Sequence, residues 1–268
     1  MVAIFVRESA LRLFAMATRL GLRRLPLFNR AFLTLYPLYK KHFEAGPIDR
    51  LREFAPPGSV VIDVGANIGF FSVRFAEWVG NNGEVISIEP EEQNFGNLTA
   101  ALASRGFAGR VRLIKAVAAA SPGSMRIEIN RLHPADHKIS RDGTGLAVRA
   151  VTLDGLVGET NPSLIKIDVQ GAEMMVLEGA GKLLRRAKPA LFIELSEDGL
   201  NALGASVTEV LSYLDRLGYR SYWLARAGPH VRATDDDIRA KVKRDDYVDV
   251  LFLNEADFRR SFDRPNRV

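Results

Sequence analysis

Four apolar runs in this chain end on a carboxylate: Val60–Asp63, Val85–Glu89, Leu164–Asp168 and Leu191–Glu194. Two of them turn at once through glycine, as Val61-Ile-Asp-Val-Gly-Ala-Asn-Ile-Gly69 and Ile165-Lys-Ile-Asp-Val-Gln-Gly-Ala-Glu173. Carboxylates gathered at strand ends can accept hydrogen bonds from hydroxyl or ammonium groups, take a proton, or ligate a hard cation. The first run, a strand entering a helix through a glycine-spaced loop, is the layout that places an adenosine-bearing cofactor at the carboxyl end of a sheet.

The loop chemistry separates two kinds of cofactor. A pyrophosphate cradle needs G-x-G-x-x-G, with the second glycine for close backbone approach and the third for helix–strand packing. Here Gly65 fills the first position, but Asn67 and Phe70 fill the others. Asp63, expected at the cofactor mouth, would repel a pyrophosphate held by helix-end amides and suits an ammonium group. S-adenosylmethionine is therefore expected in preference to NAD or FAD. Glu89 lies 26 positions after Asp63, where a strand-end carboxylate accepts both ribose hydroxyls. Pro90 follows at a helix start, where a missing N–H costs nothing.

These groups need a sheet to hold them. Strand signals fall near 60–65, 85–89, 111–118, 164–169, 190–195, 220–225 and 247–253, and helical patterns near 69–79, 91–104, 172–187 and 206–217. Such alternation predicts βαβ units in a mostly parallel sheet covered on both faces. The last strand follows 221–225 through a segment with no helical pattern, so a hairpin-like antiparallel return is expected. Residues 124–130 and 147–153 read as extra strands around the polar stretch 131–145, and long ordered loops in α/β domains build sites.

The chain has 268 residues, 47% of them hydrophobic, enough for one sizeable core. It has no cysteine, which excludes disulfides, thiolate metal sites and methylation through a cysteine adduct. The net charge of +5 is concentrated in residues 1–45, with eight Lys/Arg against two Glu; the remainder holds 29 basic and 30 acidic side chains. Residues 1–45 are thus expected to be a basic amphipathic helical extension, and 46–268 the catalytic domain. The extension either caps the domain or makes a peripheral membrane contact, and a cytoplasmic location is expected. The near-neutral body argues against a nucleic-acid partner.

The segments VIDVGANIGFFS (61–72), IEP (88–90), VTLDGL (151–156), LIKIDVQGAEMMVLEGA (164–180) and FIEL (192–195) together resemble the FkbM family of S-adenosylmethionine-dependent methyltransferases. The resemblance implies a Rossmann-like seven-stranded sheet with an antiparallel last strand, and O-methylation of a hydroxyl on a small molecule or glycan. It implies that Asp63, Gly65, Asn67 and Gly69 contact the methionine and adenosyl portions and Glu89 the ribose. Ala118, within Lys115–Ala119, would place backbone beside the adenine.

Methyl transfer to a neutral alcohol calls for a base within hydrogen-bond reach. Asp168 and His137 are the candidates, with His133 in the same loop ranked below; no metal is assigned, although Asp168 and Glu194 could supply oxygen ligands. Lys166 is either buried and paired or facing a polar crevice, and Glu173 either favours its helix N-terminus or holds the loop. The alternatives to a small-molecule O-methyltransferase are an RNA methyltransferase, which the basic arm suggests, and a non-catalytic S-adenosylmethionine-binding protein.

Overall fold

Strand polarity and helix placement follow from where the apolar side chains fall, in a computed structural model that describes residues 47–130 and 137–254. The expected N-terminal extension and His133 lie outside the described residues. The first strand, β1 (Val60–Val64), sends Val61 and Asp63 to one face and Ile62 and Val64 to the other. It pairs in parallel with β2 (Glu84–Ile88) and with β8 (Leu164–Ile167). Further out, β2 pairs with β3 (Val111–Ile114), and β8 with β9 (Ala190–Leu195), again in parallel. Strands buried on both faces read as continuous apolar runs, which is why β1, β2, β8 and β9 were visible in the sequence; β3, at the sheet edge, exposes Arg112.

One face is covered by α1 (Phe70–Val79), α2 (Glu92–Ala103) and a 3-10 helix, Ile48–Phe54. Phe71, Phe75 and Trp78 of α1 pack there with Val61, Val85 and Phe192. The other face is covered by α3 (Leu153–Val157), α4 (Glu173–Glu178), α5 (Gly181–Ala187) and α7 (Val207–Arg216), with α6 (Glu197–Ala202) between. Val210, Leu211 and Leu214 of α7 meet Ile62, Ile165 and Ile193 in that layer.

The sequence reading missed several breaks. The helix expected over 172–187 is two helices, because Gly179 ends α4 and the Asp154 carboxylate caps α5, accepting from the amides of Lys182 (3.0 Å) and Leu183 (2.8 Å). The segment between β10 (Arg220–Trp223) and β12 (Val248–Leu253) is not a simple return: it holds α8 (Asp235–Asp245). That helix buries only Ile238 and Val242, so its apolar stripe is too thin to read, but Thr234 and Asp237 form a capping box at its start. The antiparallel sense of the last strand holds, and β12 pairs with both β9 and β10. An eighth strand, β11 (Val231–Arg232), extends the sheet beyond the seven expected, giving the order β11-β10-β12-β9-β8-β1-β2-β3.

After β3 the chain leaves this sheet at Lys115–Ala116 and enters a second one. β4 (Val117–Ala118), β5 (Gly123–Glu128), β6 (Lys138–Ile139) and β7 (Leu146–Val151) form it in the order β4-β7-β5-β6. The two extra strands expected near 124–130 and 147–153 are β5 and β7. Through Ala118, Ile127 and Ile139 the small sheet walls the carboxyl ends of β1, β2 and β8.

Candidate active site

A row of polar side chains crosses the sheet beneath the site. Asp63 is in register with Ser87 on one side and Lys166 on the other, all on the α1 face. Ser72 of α1 donates to Asp63 Oδ2 at 2.6 Å, and Ser87 donates to Ser72 at 2.8 Å. The Lys166 ammonium donates to the Gly65 carbonyl at 2.9 Å and lies 3.2 Å from Asp168 Oδ2 and 3.5 Å from Asp63 Oδ1. It also sits 5.1 Å above the Phe71 ring. Lys166 is thus the buried, paired lysine of the two alternatives. Burial pushes the Asp63 carboxyl above its usual range, against the pull of Lys166.

Asp63 therefore differs from its expected place at the mouth: it is fully buried and does not line the cleft. The reason is strand parity, which turns residue 63 toward α1. Gly69 also lies off the cleft, at the N-cap of α1 with φ +92, where a Cβ would come within 2.8 Å of Leu98 Cδ1. It lets α1 and α2 pack. Gly65 and Asn67 do line the cleft. Gly65 (φ +76) passes so near β8 that a Cβ would lie 1.9 Å from the Asp168 carbonyl oxygen.

Asn67 has φ +51, which turns its amide toward Glu89. Glu89 Oε2 accepts from the Asn67 N–H at 2.9 Å and Oε1 from the Glu91 N–H at 3.0 Å, so both carboxylate oxygens are fixed. Burial still pushes Glu89 up to about 7, and Glu173 likewise to about 7. Glu173 folds back beneath the β8 loop, where Oε1 accepts from the amides of Gly171 (3.0 Å) and Val169 (3.3 Å). It holds the loop in place.

For both acids the folded value lies above the ordinary 4.5. Their contribution to stability is full below about pH 4.5 and is lost as pH rises through 7, on the order of 3 kcal/mol for each. Glu89→Gln should flatten this decline by roughly half between pH 5 and 8, measured by urea unfolding of both proteins across that range.

Asp168, Gln170 and Glu194 line the cleft together. The Gln170 side-chain nitrogen donates to Glu194 Oε1 at 3.0 Å and to Asp168 Oδ1 at 3.3 Å. Gln170 was not singled out from the sequence, although its place two residues after a strand-end aspartate was a usable signal. His137 also lines the cleft. Its Nδ1 accepts from the Asn130 N–H at 3.1 Å, and its Nε2 lies 3.9 Å from Glu91 Oε2. A ring used this way carries its neutral-state proton on Nε2, and it ties the start of β6 to the entry of α2. Ala118 is buried at the cleft's inner wall. The cleft has a volume of about 120 Å³ and opens to solvent. Among the described residues no group of three or more acidic or histidine side chains forms a metal-binding set.

An open α/β sheet with a cleft at its strand ends, and with Asn67 and Phe70 where a dinucleotide fold has its second and third phosphate-loop glycines, has the architecture of Rossmann-like methyltransferases. The methyltransferase FkbM domain matches residues 63–221, more than half of the 268-residue chain. The protein belongs to the FkbM methyltransferase family. Among solved structures, it is similar to methyltransferase FkbM from Methylobacillus flagellatus, with 20% identity and a TM-score of 0.47, covering 73% of this chain and 43% of that one. It is also similar to precorrin-6y C5,15-methyltransferase from Geobacter metallireducens (13% identity, TM-score 0.45, 80% and 88% covered). A third similar structure is an S-adenosylmethionine-dependent O-methyltransferase from Thermotoga maritima (14% identity, TM-score 0.42, 82% and 65% covered). No curated protein sequence matches the chain. No helix among the described residues is long and apolar enough to cross a membrane.

Proposed function

We propose that the protein moves a methyl group from S-adenosylmethionine to a hydroxyl of a small molecule or glycan. The observation that carries this reading is Glu89: a buried carboxylate, fixed through both oxygens by the amides of Asn67 and Glu91, at the wall of the cleft at the strand ends. A carboxylate so held suits a vicinal diol such as a ribose. The cofactor fits the residues present. Gly65 and Asn67 would hold its amino-acid portion, Glu89 its ribose and the Ala116–Ala118 backbone its adenine. The other end of the cleft has the carboxylates of Asp168 and Glu194 on its wall, with Lys166 beside Asp168, a setting that suits a sulfonium. When bound, the cofactor supplies an already activated methyl group, leaving the protein to orient the acceptor and remove its proton.

Asp168 is the better placed of the two proton acceptors. It lines the cleft with Oδ2 beside Lys166, whereas the His137 ring commits Nδ1 to a backbone amide and turns Nε2 toward Glu91. A small-molecule or glycan acceptor also agrees with the balance of 29 basic and 30 acidic side chains beyond residue 45.

Calorimetric titration with S-adenosylhomocysteine tests the reading. A dissociation constant in the micromolar range is expected, and folded protein that shows no heat of binding would overturn it. Ribose hydroxyls favour the charged form of Glu89, so binding should release a proton and affinity should rise about ten-fold from pH 6 to pH 8. Glu89→Gln should bind weakly and without that pH dependence. Transfer from methyl-labelled cofactor across a panel of hydroxylated metabolites and glycans then identifies the acceptor.

A further inference from the structure

Gln170 stands where the chain would be more relaxed with another residue. Its φ of +54 is in the left-handed region, which disfavours a side chain as long as glutamine by about 1 kcal/mol. Gly171 follows immediately, so the turn already contains the residue best suited to such a conformation. Backbone strain of this kind persists where the surrounding structure holds the residue in place. Here the side chain crosses between strand ends: its nitrogen donates to Asp168 Oδ1 at 3.3 Å, at the end of β8, and to Glu194 Oε1 at 3.0 Å, in β9. Only the nitrogen of the amide can face two carboxylates, so its orientation is forced. Lys166 meanwhile holds the other oxygen of Asp168 at 3.2 Å.

We propose that Gln170 is a positioning residue for methyl transfer: its amide joins the carboxylates of Asp168 and Glu194 into one fixed pair at the acceptor end of the cleft. The assignment rests on the methyltransferase reading. Two carboxylates set side by side repel one another, and one of them tends to take up a proton or swing away. An NH2 group placed between them supplies one hydrogen to each and keeps both charged and oriented. Asp168, gripped on one oxygen by Gln170 and on the other side by Lys166, is left with its direction fixed toward the space an acceptor hydroxyl must enter. Charged groups near the pair include Lys166 and Asp63 beneath it, Glu173 under the β8 loop, and Asp249, in register with Glu194 on β12.

The test uses the full chain with 13C-labelled aspartate and glutamate carboxyl carbons and 15N-labelled glutamine. In the parent protein, the two side-chain amide protons of Gln170 should shift with pH in step with the Asp168 and Glu194 carboxyl signals. In Gln170→Met, which keeps the length and loses the amide, at least one of those carboxylates should protonate at a pH higher by about one unit. Gln170→Glu should produce a larger rise. Amide protons in the parent that follow neither carboxylate would overturn the proposal, and this measurement needs no variant to fold. Unchanged carboxyl titrations in a folded Gln170→Met protein would overturn it too. With an acceptor in hand, Gln170→Met should lower kcat roughly ten- to a hundred-fold, while KM for S-adenosylmethionine changes less than about three-fold. A kcat within about two-fold of the parent would sink the positioning role. Absence of S-adenosylhomocysteine binding by the parent would instead remove the methyltransferase reading on which the assignment stands.

Discussion

Replacing Lys166 with methionine should destabilise the protein by about 3–5 kcal/mol at neutral pH and abolish tight S-adenosylhomocysteine binding. The lysine is buried, lies beside Asp63 and Asp168, and donates to the Gly65 carbonyl at 2.9 Å. Methionine matches its length, so little packing is lost. What remains is a fully buried Asp63 with only Ser72 to stabilise its charge, and removal of one partner of a buried pair is costly for that reason. The sign of the pH dependence separates this cause from a packing defect. Burial already pushes Asp63 upward, and without Lys166 the Ser72 hydrogen bond is left to oppose that push. The folded value then stands further above the unfolded one, so stability is retained in acid and lost as pH rises through the folded value. Urea unfolding of Lys166→Met should therefore show a deficit at pH 5 that is clearly smaller than at pH 8. An equal deficit at both would mean that Asp63 is not the group left stranded. Loss of binding follows by a separate route, because the loop carrying Gly65 and Asn67 is no longer tethered to β8.

The second large effect is expected at Gly65. An alanine there must adopt φ +76 and place its Cβ 1.9 Å from the Asp168 carbonyl oxygen, which belongs to backbone and has no rotamer to change. Real Cβ contacts essentially never fall under 3.0 Å, so the β1 and β8 loops must separate by roughly 1 Å or more. Gly65→Ala should lower stability by about 3 kcal/mol or more, combining left-handed strain with overpacking. Gly69→Ala is the comparison. It also needs a positive φ, but its contact at 2.8 Å is with the end of the Leu98 side chain, which can turn aside, and Gly69 does not line the cleft. The two variants should differ by at least about 1 kcal/mol in denaturant unfolding, with S-adenosylhomocysteine affinity falling far more in Gly65→Ala. Similar losses from both would show that the approach of the two loops is not what glycine at position 65 protects.

Asp63 and Gln170 show how far the sequence could be read. The strand-end carboxylates were legible because each closes an apolar run, and Glu89 and Asp168 reach one cleft as that pattern implies. The direction of Asp63 was not read, although period-two alternation puts it on the side of Val61 and so beneath α1. Ser72, Ser87 and Lys166 were the polar partners waiting on that face, and their common purpose appears only once register is known. Gln170 was hidden for another reason: Glu194, one of the two groups it joins, lies 24 residues away in sequence. Helix α8 was lost because its apolar stripe is reduced to Ile238 and Val242, while its charges resemble those of a solvated loop. His137 was visible as a residue type, but the use of its Nδ1 on the Asn130 amide depends on how β5 and β6 are joined.

The placement of β12 has a consequence for how the molecule comes into being. This strand, late in the chain, lies in the interior of the main sheet, between β9 and β10. During synthesis the first five parallel strands can assemble in order as they leave the ribosome. The hydrogen-bonding edges of β9 and β10, by contrast, have nothing between them until residues 248–253 arrive. At about 5–20 residues per second, the stretch from the end of β10 to β12 leaves both edges open for roughly one to six seconds. A ribosome stalled in that interval would hold a nascent chain with two unsatisfied strand edges, the form most prone to pair with a neighbour.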